Sequence, residues 1–175
     1  MFLNPEQILI HLELTPGQTV ADFGCGSGHY AILAAKRVGA NGKVYAFDVI
    51  KEALEALRSR AELERLRNIE TIRANVEQPG GSKLKDASAH AAILSNILFQ
   101  AENKPGLLAE AKRILKPGGR ALVIEWNQAK SIGGPALAAR LTREEILRLF
   151  EATGMPLEKE FSAGDQHFGF IFRNP

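Results

Sequence analysis

Short apolar runs alternate with amphipathic stretches along the chain, and the two patterns predict different elements. Five apolar runs of strand length are predicted strands, at residues 19–23, 43–48, 69–75, 91–95 and 121–126. Apolar positions at helical spacing predict helices at residues 3–14, 31–38, 51–66, 107–115 and 142–153. Such strand–helix alternation is typical of an α/β domain with a mostly parallel sheet and helices on both faces.

The tail breaks the alternation. Residues 157–161 and 168–173 are both strand-like, and only a short link containing Gly164 and Asp165 separates them. So short a link favours an antiparallel hairpin. We therefore predict a Rossmann-like, doubly wound, mostly parallel seven-stranded sheet with a C-terminal antiparallel hairpin. Ligands of such sheets bind beyond the carboxyl ends of the strands.

The strongest chemical feature is a glycine-rich turn between the first strand and the following helix. It reads Asp22-Phe23-Gly24-Cys25-Gly26-Ser27-Gly28. Glycines allow close approach of a ligand to the backbone, and the helix N-terminus behind them offers unpaired N–H groups. The spacing is G-x-G-x-G rather than the G-x-G-x-x-G of dinucleotide-binding folds. Asp48 ends the second strand, where a carboxylate can accept hydrogen bonds from ribose hydroxyls.

These residues resemble the class I S-adenosylmethionine-dependent methyltransferases, in particular their small, single-domain, type 11-like branch. The segment from Val20 to Gly28 is similar to the first motif of that family, and Asp48 to its ribose-binding acid. The segment Leu115-Lys116-Pro117-Gly118-Gly119-Arg120 is similar to a signature of its small-molecule branch. The resemblance implies S-adenosylmethionine as cofactor, with the glycines under its methionine part, Asp22 near its amino group and Asp48 on its ribose.

Further cofactor contacts follow from the same resemblance. Asn75 stands where the family often has an Asp that faces adenine, and its side-chain oxygen can still accept a hydrogen bond. Val76 is expected to pack on the ring, and Ser95 to lie beside the methyl group. The complete set of expected cofactor-binding residues is Asp22, Gly24, Cys25, Gly26, Gly28, Asp48, Val49, Asn75, Val76 and Ser95.

No catalytic residue stands out. His29, Glu125 and His167 are candidate general bases, and none is supported by spacing. His29 and Tyr30 follow the last glycine and are in reach of the cofactor's methionine end. Asn96 is interpreted as a helix cap, and Cys25 as a small buried spacer rather than a nucleophile.

Three other positions are interpreted as structural. His90 occupies a strand start where the family often has Asp, and we interpret it as a structural residue. Trp126 suits plain packing better than a cation–π contact to a sulfonium. A loop around residues 131–135 is predicted to lie over the strand ends.

Composition limits the remaining possibilities. The 175 residues suit a single domain spanning residues 1–175, and a net charge of +2 without a run of five like charges argues against nucleic acid as partner. The single Cys fits a reducing compartment and excludes a Cys-based metal site, and we expect no metal. No apolar run exceeds six residues and the first six lack a basic stretch, so we expect a cytoplasmic protein outside the membrane.

These motifs do not identify the methyl acceptor. So much of the chain is used by the predicted sheet and helices that a small-molecule acceptor is favoured, and a homodimer is compatible with the sequence. A protein acceptor stays open. Two alternatives also stay open: a non-catalytic module that binds S-adenosylmethionine, and a nicotinamide-dependent oxidoreductase, against which the glycine spacing argues.

Overall fold

The computed structural model describes residues 3–129 and 133–175. Seven strands form one sheet: β1 Thr19–Phe23, β2 Lys43–Asp48, β3 Ile69–Arg73, β4 Ala89–Ser95, β5 Leu115–Trp126, β6 Leu157–Ser162 and β7 His167–Arg173. The helices are α1 Pro5–Leu9, α2 His29–Val38, α3 Lys51–Leu63, α4 Lys104–Ile114 and α5 Arg143–Thr153, with 3₁₀ turns at Ile10–Leu12 and Leu137–Ala139.

The strand order is β3-β2-β1-β4-β5-β7-β6. All pairs from β3 to β5 are parallel, whereas β7 pairs antiparallel with both β5 and β6. This is the predicted Rossmann-like sheet with its C-terminal hairpin, and the prediction is confirmed. The order changes direction between the neighbours β1 and β4, so their carboxyl ends flank the crevice where such sheets bind ligands.

The core lies in two layers, one on each face of the sheet. Alternate residues of β1 point to opposite faces: Val20 belongs to one layer, and Ala21 and Phe23 to the other. Buried residues of α1, α2 and α3 complete the first layer, and those of α4 and α5 complete the second. Helices therefore cover both faces, as the alternation of patterns predicts.

Several boundaries differ from the predicted ones because tertiary hydrogen bonds override local pattern. The strand predicted to begin at 121 begins at Leu115, which pairs with Ala89. On the other side of the strand, Asn174 extends the pairing of β5 with β7 by exchanging backbone hydrogen bonds with Gly118 and Gly119. The helix predicted at 51–66 ends at Leu63, shortly before a residue with positive φ.

The helix starts carry the caps that fix them. The N-cap of α5 is Thr142, and its hydroxyl and the Glu145 carboxylate form a capping box. The N-cap of α4 is Asn103, so that helix begins three residues before the predicted start. Among the described residues, no helix combines the length and the apolar character that crossing a membrane requires.

Candidate active site

A cleft of about 510 Å³ opens at the carboxyl ends of β1 and β4. Its lining comes from the glycine-rich turn, the loop after β4 and the start of the chain: Leu3, Pro5, Asp22, Gly24, Cys25, Gly26, Ser27, His29, Tyr30, Ser95 and Asn96. Five of the predicted cofactor-binding residues thus meet here: Asp22, Gly24, Cys25, Gly26 and Ser95. The contribution of Leu3 and Pro5 has no signal in the sequence, because it depends on how α1 packs.

The three glycines of the turn all have positive φ, between 52° and 80°, but they face different surroundings. A Cβ on Gly24 would lie 2.7 Å from Ile97 Cδ1, and one on Gly28 would collide with Leu57. A Cβ on Gly26 would meet nothing within 4 Å. Gly24 and Gly28 therefore allow close packing of the turn, whereas Gly26 leaves backbone open to a ligand.

Asp48 fixes the turn from the neighbouring strand. Its Oδ2 accepts a hydrogen bond from the Gly26 N–H at 2.9 Å, and its Oδ1 accepts one from the Ile50 N–H at 2.9 Å. A carboxylate oxygen can accept two hydrogen bonds, so each oxygen retains capacity for a ligand hydroxyl. The predicted ribose acid thus also helps to hold the glycine turn against β2, together with the hydrogen bond from the Cys25 N–H to Phe47 O.

Asp22 is a buried carboxyl group at the floor of the cleft, 2% exposed. Burial raises its pKa to about 7; the Ala31 backbone N–H opposes that shift, and the nearby negative Asp48 adds to it. Its Oδ2 has no hydrogen-bond partner among the described residues. An unpartnered carboxyl oxygen facing a cleft favours a cationic group of a ligand.

The loop after β4 forms the opposite wall and is held in a strained conformation. Asn96 has a φ of 53°, its N–H donates to Ile124 O at 2.7 Å, and its carbonyl accepts from Gln100 Nε2 at 2.8 Å. Its interpretation as a helix cap is wrong, because no helix begins there and its Oδ1 is buried without a partner. Sequence reasoning missed this residue as part of the site.

Glu125 supports the same loop from below. It is fully buried, and its Oε1 accepts a hydrogen bond from the Leu98 N–H at 2.6 Å. Burial raises its pKa to about 7, against the backbone N–H groups of the loop and the more distant charge of Lys104. Glu125 does not line the cleft. It therefore positions the loop and does not face an acceptor as a general base would.

The residues expected around adenine lie along the same edge of the sheet, outside the lining of the cleft. Val49 follows β2 and is 55% exposed, beside the similarly exposed Ile50. Asn75 follows β3, and its Oδ1 accepts a hydrogen bond from the Glu77 N–H at 2.9 Å; Val76 is buried in the core. Their role in cofactor binding stays a prediction. Ile50 was not among the expected residues, and its exposed apolar side chain adjoins that of Val49.

His90 and His29 lie in different places. His90 lies at the amino end of β4, at the opposite end of the strands from the cleft, where its Nδ1 accepts a hydrogen bond from the Thr19 N–H at 3.0 Å, as a structural residue does. Burial, and then the charge of Lys116, lower the pKa of His90. His29 is exposed at the mouth of the cleft, with its Nδ1 3.3 Å from Ser27 Oγ.

Side chains of the same chain pack against the ring of Trp126. Its ring lies 4.2 Å from the His167 ring and 5.1 Å from the Arg140 guanidinium carbon, and Gly134 approaches its edge. The cation on this ring is therefore Arg140, as the packing interpretation implies. Burial, with the charge of Arg140, lowers the pKa of His167. Ser131 and Ile132, part of the predicted loop over the strand ends, lie outside the described residues.

Two further kinds of chemistry find no support. Burial, together with the charges of Asp22 and Asp48, raises the pKa of the Cys25 thiol, which suits a spacer and not a nucleophile. Residues 3–129 and 133–175 contain no group of three or more His, Cys, Asp or Glu side chains that could hold a metal ion.

Comparison with known proteins identifies the family. A family model described as a methyltransferase domain matches residues 14–154. The chain belongs to this methyltransferase domain family.

Individual relatives agree with that assignment. A 2-phytyl-1,4-naphtoquinone methyltransferase from Trichormus variabilis is 33% identical over 115 residues, 65% of this chain and 48% of the relative. An S-adenosyl-L-methionine-dependent Diels-Alderase from Talaromyces variabilis is 27% identical over 159 residues, 91% of this chain and 53% of the relative. The chain therefore spans about half the length of these two curated relatives.

A solved structure extends the comparison to the whole fold. The crystal structure of a SAM-dependent methyltransferase from Aquifex aeolicus superimposes with a TM-score of 0.90 and is 25% identical, covering 99% of this chain and 91% of that one. Family and fold together favour the predicted methyltransferase over a nicotinamide-dependent oxidoreductase.

The open surroundings of Gly26 give a testable prediction. Gly26→Ala should weaken S-adenosylmethionine binding by about tenfold or more, because the methyl group fills the backbone face left open for a ligand. Gly17→Ala is the matched control, since Gly17 also has positive φ and open surroundings but lies outside the cleft. Both variants should lose about 1 kcal/mol of unfolding free energy through backbone strain. Calorimetric titration checks the affinity; equal affinities in the two variants would contradict this role of Gly26.

The buried Glu125 predicts a pH dependence of stability. The folded protein retains the Glu125 proton up to pH about 7, whereas the unfolded chain releases it near the ordinary value of 4.5. This group therefore lowers the unfolding free energy as pH rises between those values, by up to about 3 kcal/mol. In Glu125→Gln that decrease should be absent. The unfolding free energy of the variant, measured by urea unfolding, should therefore rise relative to that of the wild type from pH 5 to pH 8. Glu144→Gln, on the exposed side of α5, is the control, and a gain of equal size there would refute the assignment.

Proposed function

We propose that this chain is an S-adenosylmethionine-dependent methyltransferase that acts on a small-molecule acceptor. The observation that carries the proposal is the buried carboxyl group of Asp22, whose Oδ2 has no partner among the described residues. The same cleft contains the backbone of Gly26, which has open space beside it. An acid without a partner next to exposed peptide groups matches an amino acid moiety with a positive charge. The family assignment supports the same conclusion.

The residues present fit this cofactor. Asp22 would bind its ammonium group, the turn formed by Gly24, Cys25, Gly26 and Gly28 would lie under its methionine part, and Ser95 would lie beside the methyl group. Asp48 would accept hydrogen bonds from the ribose hydroxyls with the capacity that Gly26 and Ile50 leave free. Val49, Asn75 and Val76 would surround adenine.

Electrostatics also suits the cofactor. The described residues that line the cleft include no Lys and no Arg, and their one acidic side chain is Asp22. Such a surface attracts a ligand that carries positive charge and offers no cationic side chain to pair with an anionic ligand. When bound, S-adenosylmethionine supplies a methyl group activated on a positively charged sulfonium, and S-adenosylhomocysteine is left after transfer.

The chain's own contribution is alignment and exclusion of water. The glycine turn and the loop after β4 are each tied to a neighbouring strand, by Asp48 and by Glu125, so the walls of the cleft are fixed before a ligand arrives. Holding two reactants in line can supply several kcal/mol of rate acceleration. None of the candidate bases is required for an acceptor that reacts as a neutral nucleophile.

The proposal also covers the size of the acceptor, the number of domains, the compartment and the oligomeric state. A small acceptor is supported by the naphthoquinone named for the relative from Trichormus variabilis and by the modest volume of the cleft. Composition and length support a single domain over residues 1–175 and a reducing cytoplasm as compartment, and they are compatible with a homodimer.

The decisive experiment is a search for product. We expect S-adenosylhomocysteine to be released when the protein and S-adenosylmethionine are incubated with panels of small amines, thiols, hydroxyl compounds and acidic carbons. Binding of S-adenosylmethionine without release for any panel would favour the non-catalytic module. Binding of NADH in place of S-adenosylmethionine would overturn the proposal.

Asp48 tests the assignment within the site. Asp48→Ala should lower cofactor affinity by roughly 1–3 kcal/mol, because the ribose hydroxyls lose their acceptor. The same change also frees the Gly26 N–H, so the affinity of S-adenosylhomocysteine is compared with that of its 2′-deoxy analogue. The wild type should prefer the compound with the hydroxyl, and Asp48→Ala should bind both equally. A preference that survives in the variant would remove Asp48 from the ribose site.

A further inference from the structure

A second hollow lies at the opposite end of the strands from the cleft. It has a volume of about 400 Å³ and lies where α2 and α3 end and where β2 and β3 begin. Four of its lining side chains are cationic: Lys36, Lys43, Arg65 and Arg67. No Asp or Glu belongs to its described lining. A concave surface with this charge attracts anions.

Two of these four charges are paired within the chain, and two are not. The two lysines form ion pairs with Glu64 and Glu70, respectively. The guanidinium groups of Arg65 and Arg67 have no hydrogen-bond or ion-pair partner among the described residues, and both side chains are exposed. The hollow therefore offers two guanidinium groups to a ligand.

The helix ends at the hollow do not need these guanidinium groups as caps. Cationic side chains can bond the last carbonyl groups of a helix, but here other groups do so. Asn68 Nδ2 donates to Ala35 O and to Gly39 O at the end of α2, each at 2.9 Å. At the end of α3, the Leu66 N–H donates to Ala61 O at 2.8 Å. Capping therefore does not account for the two arginines.

Arg65 occupies a position that favours glycine. Its φ of 55° lies in the left-handed region, just after α3, where helices commonly end with Gly. A residue with a Cβ is less stable there than Gly. The folding of this turn would therefore be served better by Gly than by Arg, whereas binding of an anion requires the guanidinium group.

We propose that this hollow binds a small polyphosphate, a ligand in which two or more phosphate groups are linked. The planar guanidinium groups of Arg65 and Arg67 each pair with phosphate oxygens through two N–H groups. Lys36 and Lys43 add positive charge for the remaining phosphate groups. A ligand with several negative charges fits four cations around a hollow better than a single phosphate does. The chain's net charge of +2 gives little attraction for a long nucleic acid, which favours a small ligand.

Isothermal titration calorimetry on the full chain tests for the site. The probes are inorganic triphosphate, pyrophosphate and phosphate, with sulfate as reference, all at the same ionic strength and without divalent cations. We expect saturable binding that is tightest for triphosphate and that weakens as salt is raised, because solvent ions screen exposed charges. If triphosphate binds no more tightly than sulfate, the site does not exist.

Two variants separate binding of the anion from folding. Arg65→Gly removes the charge and suits the positive φ, so it should resist urea at least as well as the wild type. It should nevertheless bind triphosphate about two- to fivefold more weakly, as expected for the loss of one exposed charge pair. Arg67→Gln should weaken binding to a similar extent, and the double variant should lose more than either single variant.

Lys83→Gly is the matched control, because Lys83 is an exposed cation with a φ of 59° that does not line the hollow. It removes the same charge and relieves the same strain, so it should leave triphosphate binding unchanged. An equal loss of affinity in this control, or unchanged binding in either arginine variant, would overturn the inference. So would tighter binding of a short single-stranded oligonucleotide than of triphosphate, which would assign the surface to nucleic acid.

Discussion

The geometry of the site depends on one carboxylate that bridges two strands' ends. Asp48 accepts hydrogen bonds from Gly26 in the glycine turn and from Ile50 at the start of α3. The turn has a positive φ at each of its glycines. Glycine adopts this conformation at little energetic cost, but its freedom means that glycine alone does not fix the turn in one conformation. The Asp48 anchor gives it one fixed position relative to the sheet. The neighbouring Cys25 N–H ties the same turn to β2 by donating to Phe47 O at 2.9 Å.

The opposite wall follows the same design with different residues. The loop after β4 is tied to β5 through Ile124 and Glu125, and Ile97 of that loop packs against Gly24 of the turn. The two walls therefore contact each other where the strand order changes direction. A cleft formed in this way is preorganised, and preorganised donors and acceptors need little rearrangement when a ligand binds.

The two buried acids of the site reduce the stability of the folded protein. Asp22 and Glu125 are both buried acids whose pKa is raised to about 7. Each lowers the unfolding free energy near neutral pH, since the unfolded chain releases its proton more readily. For Glu125 the benefit is a fixed loop. For Asp22 the described residues offer its Oδ2 no partner, which supports its proposed role in binding the ammonium group of the cofactor.

Local pattern predicted the parts of the fold and site that local physics determines. The bounds of β1 and β2 and the C-terminal hairpin were predicted, because apolar runs and short links act over a few residues. The glycine turn was likewise visible in the residue types. The early start of β5 was not, since it depends on pairing with Ala89, distant in sequence.

The missed parts of the site have the same origin. The strain at Asn96 and the burial of Glu125 arise from contacts between β4 and β5, which no spacing along the chain reveals. Asn96 was interpreted as a cap because Asn after a strand often begins a helix. The fold instead uses its tolerance for positive φ in the loop that lines the cleft. Residue type was informative, but its use depended on tertiary structure.

The most direct measurement is a crystal structure of the chain with S-adenosylhomocysteine. The account predicts the amino group of the ligand against Asp22, its backbone face over Gly26 and both ribose hydroxyls on Asp48, with the Asp48 to Gly26 hydrogen bond intact. Space beside Ser95 should remain open for an acceptor. A ligand bound elsewhere, or in this cleft with its ribose away from Asp48, would contradict the account.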